Sequence, residues 1–263
     1  MARDGASSSR AVRRRLRVAE RPALEAVVFD AGGTLVRLDF EWMSEALRAL
    51  GHEVTPAALA RAEVTARKAF EDAFDTPPST DGRAPRLGAR GDIRLYFASL
   101  LEAGGVPPAL LEPALERFFA RQAGPGLWTR PAEGARGCLD ALARLGLRLA
   151  CVSNSDGRAE EHLAACGVRA GLEFVLDSHL EGIEKPDAGI FRRASERLGV
   201  PARRALYVGD LRVVDGMGAR AAGLHFVLID PYGDYAAPGE PAIGSLAGLP
   251  AWVTARFAVG GGR

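Results

Sequence analysis

The order of apolar and polar positions divides the chain into two parts. From about residue 132 onward, short apolar runs alternate with stretches in which apolar side chains recur every three or four residues. The short runs predict buried strands, and the periodic stretches predict amphipathic helices. Because strand and helix alternate, we expect an α/β fold with a doubly wound, Rossmann-like parallel sheet. Strands are predicted at 147–153, 173–176, 205–208 and 224–229, and helices at 157–166, 187–198 and 214–222.

One more buried strand is predicted near the start of the chain, at the apolar run 26–29, which ends on Asp30. Gly32 and Gly33 follow it and allow the backbone to turn sharply. From residue 39 to 125 helical spacing recurs without strands, which predicts an inserted all-helical cap. The sheet domain would then comprise 23–38 and 126–263. Residues 1–22, rich in Arg and Ser, are predicted to be a disordered leader.

Composition narrows the classes of partner. The net charge is +1, so we expect no nucleic-acid partner. No stretch reaches the roughly 18 apolar residues of a membrane span, and the three cysteines lack metal-type pairing, so we expect a cytoplasmic protein with reduced thiols. A monomer or a homodimer is expected. Lysine is rare, since only Lys68 and Lys185 are lysines, and this makes any lysine near a predicted site informative.

Polar side chains follow several of the predicted strands. Ser153-Asn154 and Gly209-Asp210 come directly after apolar runs, and Lys185 opens the loop before the helix at 187–198. The carboxyl ends of parallel strands share one edge of a sheet, where such folds bind ligands. We therefore expect five side chains to converge there: Asp30, Ser153, Lys185, Asp210 and Asp215.

The residue types in this group suit a phosphate site. Three clustered carboxylates would raise one another's pKa values, which implies a bound cation, and a few oxygen ligands suit Mg²⁺. A hydroxyl and an ammonium can hold the oxygens of a tetrahedral anion, and one carboxylate can act as a nucleophile.

Four segments, taken in order, resemble the motifs of the haloacid dehalogenase superfamily. They are Asp30-Ala-Gly-Gly-Thr-Leu, Ser153-Asn154, Lys185-Pro186 and Gly209-Asp210 with Asp215 five residues after Asp210. The resemblance covers about 23–38 and 126–232, and residues 39–125 fall where that family inserts a helical cap.

The resemblance also implies roles for individual residues. Asp30 would be the nucleophile, with Ser153 and Lys185 completing the catalytic group. Mg²⁺ would be held by Asp30, Asp210 and the backbone carbonyl of Gly32, while Asp215 would bind it or orient its waters. The phosphoryl group would be held by the following residues: Ser153, Asn154, Lys185 and Gly33.

One position departs from the family pattern. Phosphatases of the family carry a second Asp, the general acid and base, two residues after the nucleophile, and here that position is Gly32. General acid–base catalysis is typically worth about 10²–10⁴-fold, so hydrolysis of an ordinary phosphomonoester should be slow without a substitute. By proximity alone, the candidates for such a substitute are Arg37, Asp39 and Glu41.

Three functions remain open at this point. The first is a Mg²⁺-dependent phosphatase for a small phosphorylated metabolite, favouring a leaving group that needs little protonation, such as an acyl phosphate. The second is carbon–halogen hydrolysis, in which halide leaves without a proton; the third is a ligand-binding protein that has lost turnover. A small anionic organic substrate is expected, with these contributors: Trp42, Arg90, Arg94, Phe97, Trp128 and Arg130.

Overall fold

The structure of the protein is a computed structural model that describes residues 21–75 and 93–260. Eight strands lie in these residues: β1 (Ala26–Phe29), β2 (Val36–Arg37), β3 (Arg130–Pro131), β4 (Arg148–Ser153), β5 (Val175–Asp177), β6 (Ala205–Gly209), β7 (His225–Ile229) and β8 (Ala242–Ile243). The α-helices of the same residues are α1 (Phe40–Arg48), α2 (Pro56–Asp75), α3 (Ile93–Ala103), α4 (Pro108–Ala123), α5 (Ala135–Arg144), α6 (Ala159–Ala165), α7 (Ser178–Glu181), α8 (Ala188–Leu198), α9 (Gly218–Ala221) and α10 (Leu249–Arg256).

Six strands form one sheet in the order β5-β4-β1-β6-β7-β8, and every neighbouring pair is parallel. The central strand β1 lies between β4 and β6, with Phe29 level with Cys151 and Val208. From β1 to β7 the chain crosses over between consecutive sheet strands through helices, which is how a doubly wound sheet is built, and a loop without a helix leads from β7 to β8. The predicted fold class is therefore confirmed.

Apolar side chains cover both faces of the sheet. Because successive residues of a strand point to opposite faces, Val27 and Phe29 pack on one side while Ala26 and Val28 pack on the other. Helices α5 and α10 supply the first side, and α8 and α9 supply the second. A sheet buried on both faces leaves its strand ends as the place where polar side chains can gather.

Helices α1 to α4 surround a third group of buried apolar side chains, which includes Met43, Phe97, Leu100 and Phe118. Val214, which follows β6, packs into the same group and so connects it to the sheet. The predicted run of helices without strands is thus present between residues 40 and 123 in the described part. The exact division of the chain into a sheet domain and a cap stays a prediction.

Some elements differ from the expected ones. The helix predicted at 214–222 begins as a π-helical turn, Arg212–Met217, and continues as the short helix α9. The two-residue strands β2, β3 and β8 are too short for any periodicity to reveal them. No helix among the described residues is long and apolar enough to cross a membrane. Residues 1–20 of the predicted leader lie outside the described residues, and so does Arg90. The cytoplasmic location and the oligomeric state stay predictions.

Candidate active site

The polar residues that follow β1 and β6 meet at the carboxyl edge of the sheet. The backbone N–H of Asp30 donates to the carbonyl of Val208 at 2.9 Å, which holds the end of β1 beside the end of β6. Carboxylate oxygens of Asp30, Asp210 and Asp215 all lie within 4.8 Å of one another, and each of these side chains is buried. The structure therefore brings together the three predicted carboxylates.

Lys185 lies among these carboxylates and is itself only 2% exposed. Its ammonium donates to Asp30 Oδ1 at 2.5 Å, to Asp215 Oδ1 at 2.7 Å and to the Tyr207 hydroxyl at 3.0 Å. Burial alone would lower the pKa of Lys185, but the charges of Asp215 and Asp30 outweigh it and raise that pKa above its usual value. Lys185 therefore stays protonated, and its three ammonium protons are donated to these three oxygens.

Asn154 holds the backbone of Lys185 in place. Its side-chain amide donates to the Lys185 carbonyl at 2.9 Å, and its side-chain oxygen accepts from the Lys185 N–H at 2.8 Å. Ser153, the last residue of β4, lies beside it at the site and is 5% exposed. The described contacts of Asn154 therefore make it a residue that positions Lys185, whereas its predicted contact with phosphate stays a prediction.

Asp215 uses both of its carboxylate oxygens within the protein. Oδ1 pairs with Lys185, and Oδ2 accepts from the backbone N–H groups of Asp210 at 3.1 Å and Leu211 at 3.0 Å. Asp215 can reach these N–H groups because the chain after β6 forms a π-helical turn, a feature often found at functional sites. Asp215 therefore shapes the turn that presents Asp210.

Asp210 contacts Gly33 and also Arg67, which lies in helix α2. A side chain at Gly33 would place its Cβ 2.2 Å from Asp210 Oδ2, and the φ of Gly33, +79°, is itself unfavourable for other residues. Arg67 Nε lies 3.3 Å from the same Oδ2. Asp210 Oδ1, in contrast, is buried without a hydrogen-bond partner. The backbone N–H of Gly33 is taken by the Val36 carbonyl at 2.7 Å.

Arg67 belongs to a buried charged network that the sequence analysis missed. Its guanidinium also pairs with Glu63 at 3.0 Å, and Glu63 accepts a hydrogen bond of 2.7 Å from the Tyr96 hydroxyl. Burial disfavours the charge on Arg67, but Glu63 and Asp210 raise its pKa. A signal was available, because Arg67 lies three residues from both Val64 and Phe70 and so falls on the apolar face of its helix.

The donors present at this edge fit a divalent cation. Four carboxylates lie beside two cations in this group: Asp30, Asp210, Asp215 and Glu63 with Lys185 and Arg67. The group therefore carries two net negative charges when all of its members are ionised. The unpartnered Asp210 Oδ1 lies in this group. Hard oxygen donors of this kind suit Mg²⁺.

Burial raises the pKa values of two carboxyl groups at this edge, those of Asp30 and Asp210. Burial is the largest cause at Asp30, where Lys185 works against it and Asp215 with it, and the pKa of Asp30 rises to about 6. Burial also raises the pKa of Asp210 well above its usual value, despite the opposing charge of Arg67. A neighbouring cation lowers the pKa of such carboxyl groups and so favours their ionised form.

A cavity of about 350 Å³ opens onto these residues. Its polar lining includes Asp30, Ser153, Lys185 and Asp210, while its apolar lining combines four aromatic side chains with aliphatic ones. The aromatic residues come from the helical segment and the chain just after it: Phe70, Tyr96, Phe119 and Trp128.

Gly32 faces one of these rings. A Cβ on Gly32 would lie 3.2 Å from both Cδ1 and Nε1 of the Trp128 indole, so the ring occupies the space next to this position. The three residues predicted as substitute acids lie outside the cavity lining. Arg37 pairs with Glu41 at 2.9 Å, and Asp39 caps α1 and pairs with Arg130 at 3.1 Å.

The other residues predicted to contact substrate have different positions. Trp128 lines the cavity. Phe97 is fully buried among the helices, and Trp42 packs against Phe118 with ring centroids 5.8 Å apart. Arg94 pairs with Glu112 on the surface.

Comparison with known proteins agrees with this arrangement. A family model described as haloacid dehalogenase-like hydrolase matches residues 24–223. Haloacid dehalogenase-like hydrolase domain-containing protein 3 of Mus musculus is 31% identical over 226 residues, which cover 81% of this chain and 84% of the relative. A phosphoserine phosphatase of Thermus thermophilus is 36% identical over 138 residues, which cover 52% of this chain and 53% of that enzyme.

Among solved structures, the HAD-hydrolase YfnB from Bacillus subtilis, bound to magnesium, aligns with a TM-score of 0.56. The alignment has 23% identity and covers 88% of this chain and 99% of that one. At this level of identity the likeness concerns the fold.

Proposed function

The chain belongs to the haloacid dehalogenase-like hydrolase family, and we propose that it hydrolyses a small phosphorylated metabolite at Asp30 with the help of Mg²⁺. The chain is accordingly a hydrolase, and phosphatases are among its relatives. The observation that carries the proposal is the buried group of three carboxylates around Lys185, which is negative overall and opens onto a cavity. A charge group of this sign needs a cation before it can receive an anionic substrate.

Asp30, Asp210 through its unpartnered Oδ1, and the carbonyl of Gly32 would hold the cation. When bound, Mg²⁺ supplies positive charge that offsets the charge of the phosphoryl group. Asp215 is better suited to holding the turn after β6, since both of its oxygens are already engaged. Gly33 contributes by leaving room for Asp210.

Asp30 is the nucleophile in this proposal. One of its carboxylate oxygens bonds to phosphorus as the bond from phosphorus to the leaving oxygen breaks, and the leaving oxygen keeps the electron pair. Water then attacks phosphorus, which frees the Asp30 carboxylate and inorganic phosphate, and the released proton neutralises the leaving oxygen. The Ser153 hydroxyl binds a phosphoryl oxygen, Lys185 offsets negative charge between Asp30 and the phosphoryl group, and Asn154 keeps Lys185 in position.

The test is phosphate release from acetyl phosphate and an activated aryl phosphate, with Mg²⁺ and with chelator. We expect release that requires both Mg²⁺ and Asp30, with Asp30→Asn at least about 10³-fold slower because the nucleophile is lost. Asp234→Asn makes the same chemical change at an exposed aspartate paired with Arg61 and should leave the rate unchanged.

Halide release from 2-haloacids is measured in the same series, because halide leaves without the proton that Gly32 cannot provide. Metal-independent halide release that requires Asp30 would replace the phosphatase proposal with dehalogenation. Binding of Mg²⁺ and phosphate with no turnover of either substrate class would instead indicate a ligand-binding protein.

A further inference from the structure

We propose that this site accepts the phosphate ester of an aromatic hydroxyl group, with the aromatic ring held against Phe70, Tyr96, Phe119 and Trp128. The inference rests on the proposed phosphatase function and specifies its substrate class. Two independent observations lead to it: the aromatic lining of the cavity, and the absence of a proton donor next to Asp30.

Three of the four lining rings pack against the same buried ring. The ring of Phe97, fully buried behind them, lies 5.4 Å from Tyr96, 6.1 Å from Phe119 and 5.7 Å from Trp128, measured between centroids. Phe70 extends the group through an edge contact with Tyr96 at 6.2 Å. Rings packed in this way present faces and edges that pair favourably with another aromatic ring.

The hydroxyl of Tyr96 does not interrupt this surface. It is committed to Glu63 at 2.7 Å within the buried network around Arg67. Burial and the charge of Glu63 raise the pKa of Tyr96 well above its usual value, so this phenol keeps its proton. The ring of Tyr96 therefore contributes apolar surface to the cavity rather than an acid.

The cavity has room for such a substrate. Its volume is about 350 Å³, whereas an apolar cavity of about 150 Å³ suffices to bind benzene in another protein. Asp30 and Lys185 line the same space as the aromatic rings, and Trp128 lies beside Gly32, two residues from Asp30. A ring attached directly to a phosphate bound at Asp30 would therefore reach the aromatic lining.

No described acidic side chain is placed to protonate the leaving oxygen. Gly32 has no side chain, and the Cβ of an aspartate there would lie 3.2 Å from the Trp128 indole, which is a tight contact. Asp156, which also lines the cavity, is paired with Arg158 at 2.7 Å, and that hydrogen bond lowers its pKa, so it stays ionised. His162 is the remaining titratable side chain of the lining outside the Asp30 group, and the experiment below includes it.

The missing donor selects leaving groups that depart as stable anions. A phenol, like the tyrosine side chain, ionises with a pKa of about 10, whereas water, to which alkyl alcohols are close, has one of about 15.7. The aryl–oxygen electron pair leaves with the phenolate, and the phenolate takes up the proton released when water cleaves the phosphorylated Asp30. An alkyl ester would need its proton during bond cleavage, when none is available.

The experiment compares phenyl phosphate, benzyl phosphate and cyclohexyl phosphate with Mg²⁺ present. Benzyl phosphate keeps the ring but has an alcohol leaving group, and cyclohexyl phosphate has neither feature. We expect phenyl phosphate to have a kcat at least about 10²-fold above that of benzyl phosphate. We also expect phenylphosphonate, which cannot be hydrolysed, to bind about threefold to tenfold more tightly than cyclohexylphosphonate in calorimetry.

Variants test the aromatic lining and the missing proton donor separately. Phe119→Leu keeps apolar volume but removes a ring, and it should reduce the preference for phenylphosphonate. Gly32→Asp combined with Trp128→Ala provides both an acid and space, and it should raise benzyl phosphate hydrolysis by about 10²-fold relative to Trp128→Ala alone. His162→Gln should leave the phenyl-to-benzyl ratio of kcat unchanged, and a larger ratio in this variant would identify His162 as a donor and overturn the proposal.

The other outcomes distinguish the inference from the function on which it rests. Asp30-dependent hydrolysis of all three esters at similar rates would overturn the aromatic inference and leave the phosphatase intact. Equal binding of the two phosphonates would also overturn it. Selective binding of phenylphosphonate without hydrolysis of any ester would overturn the phosphatase function and uphold recognition of an aromatic ligand.

Discussion

The carboxyl edge of the sheet and the helices α1 to α4 both contribute buried charges, but they do so in different ways. At the sheet edge, Asp30 and Asp210 directly follow strands, so strand register places them side by side. Arg67 and Glu63 lie within the long helix α2, and their burial depends on how α2 packs against α3 and against the end of β6.

This difference shows which residue positions can be predicted from the sequence and which depend on tertiary packing. A residue at a strand end has a position set by topology, and its chemistry can be inferred before any contact is known. A charged residue on an apolar helix face has a role that depends on which surface the helix meets. Here that surface carries Asp210, a predicted metal ligand, so α2 contributes a charge to the group of carboxylates at the sheet edge.

The largest expected effect concerns the sheet edge. Lys185→Met keeps much of the side-chain volume but leaves Asp30 and Asp215 buried without their cation. Breaking a buried pair typically costs about 3–5 kcal/mol, and we expect a loss of this size in the free energy of unfolding by urea at pH 7 without metal. The chain's other lysine is the control, because Lys68 is exposed and donates to a backbone carbonyl at 3.0 Å. Similar losses for Lys68→Met and Lys185→Met would contradict this reading.

The next effect tests whether the helical segment contributes to the same charge group. Arg67→Met should lower the free energy of unfolding by about 2–4 kcal/mol, because Glu63 and Asp210 lose their shared partner. Saturating Mg²⁺ should recover part of this loss, since a cation would offset the charge of Asp210. Arg61→Met, which breaks an exposed pair with Asp234, should cost less than about 1 kcal/mol. If Mg²⁺ recovers equal amounts in both variants, Arg67 is not part of the metal-site charge group.

A smaller effect concerns the close approach at the strand end. Gly33→Ala should cost about 2–3 kcal/mol, because it combines an unfavourable backbone angle with a Cβ that strikes Asp210. Gly51 has a similar φ of +82° with nothing within 4 Å of its would-be Cβ, so Gly51→Ala reports the backbone strain alone, about 1–2 kcal/mol. Mg²⁺ affinity, measured by calorimetry, should fall in Gly33→Ala only. Equal stability losses with unchanged affinity would show that the clash is relieved elsewhere.

The smallest effect is a dependence of Mg²⁺ binding on pH. Burial raises the pKa of Asp30 to about 6, so this carboxyl takes up a proton as the pH falls below that value. The cation requires the ionised form, and its affinity should therefore fall about tenfold for each pH unit below 6. Asp30→Asn should show a shallower dependence in the same titration. An affinity that is constant from pH 5 to 7 would contradict the assignment of Asp30 as a ligand.

Much of the site could be predicted because its residues follow strands. The strands predicted at 26–29, 147–153 and 205–208 correspond to β1, β4 and β6. The short strands β2, β3 and β8 could not be predicted, because two residues carry no period. The assigned roles of the individual site residues stay predictions, and the proposed experiments address them.

The sequence by itself determined the parallel sheet and the meeting of Asp30, Lys185, Asp210 and Asp215, because strand ends in such a sheet share one edge. Only the tertiary structure decided that Arg67 pairs with Asp210, that Asn154 clamps the backbone of Lys185, and that Trp128 fills the space beside Gly32. These contacts join segments that are separated along the chain. They depend on how helices dock and which side chains then fill the space between them, and no local periodicity encodes that.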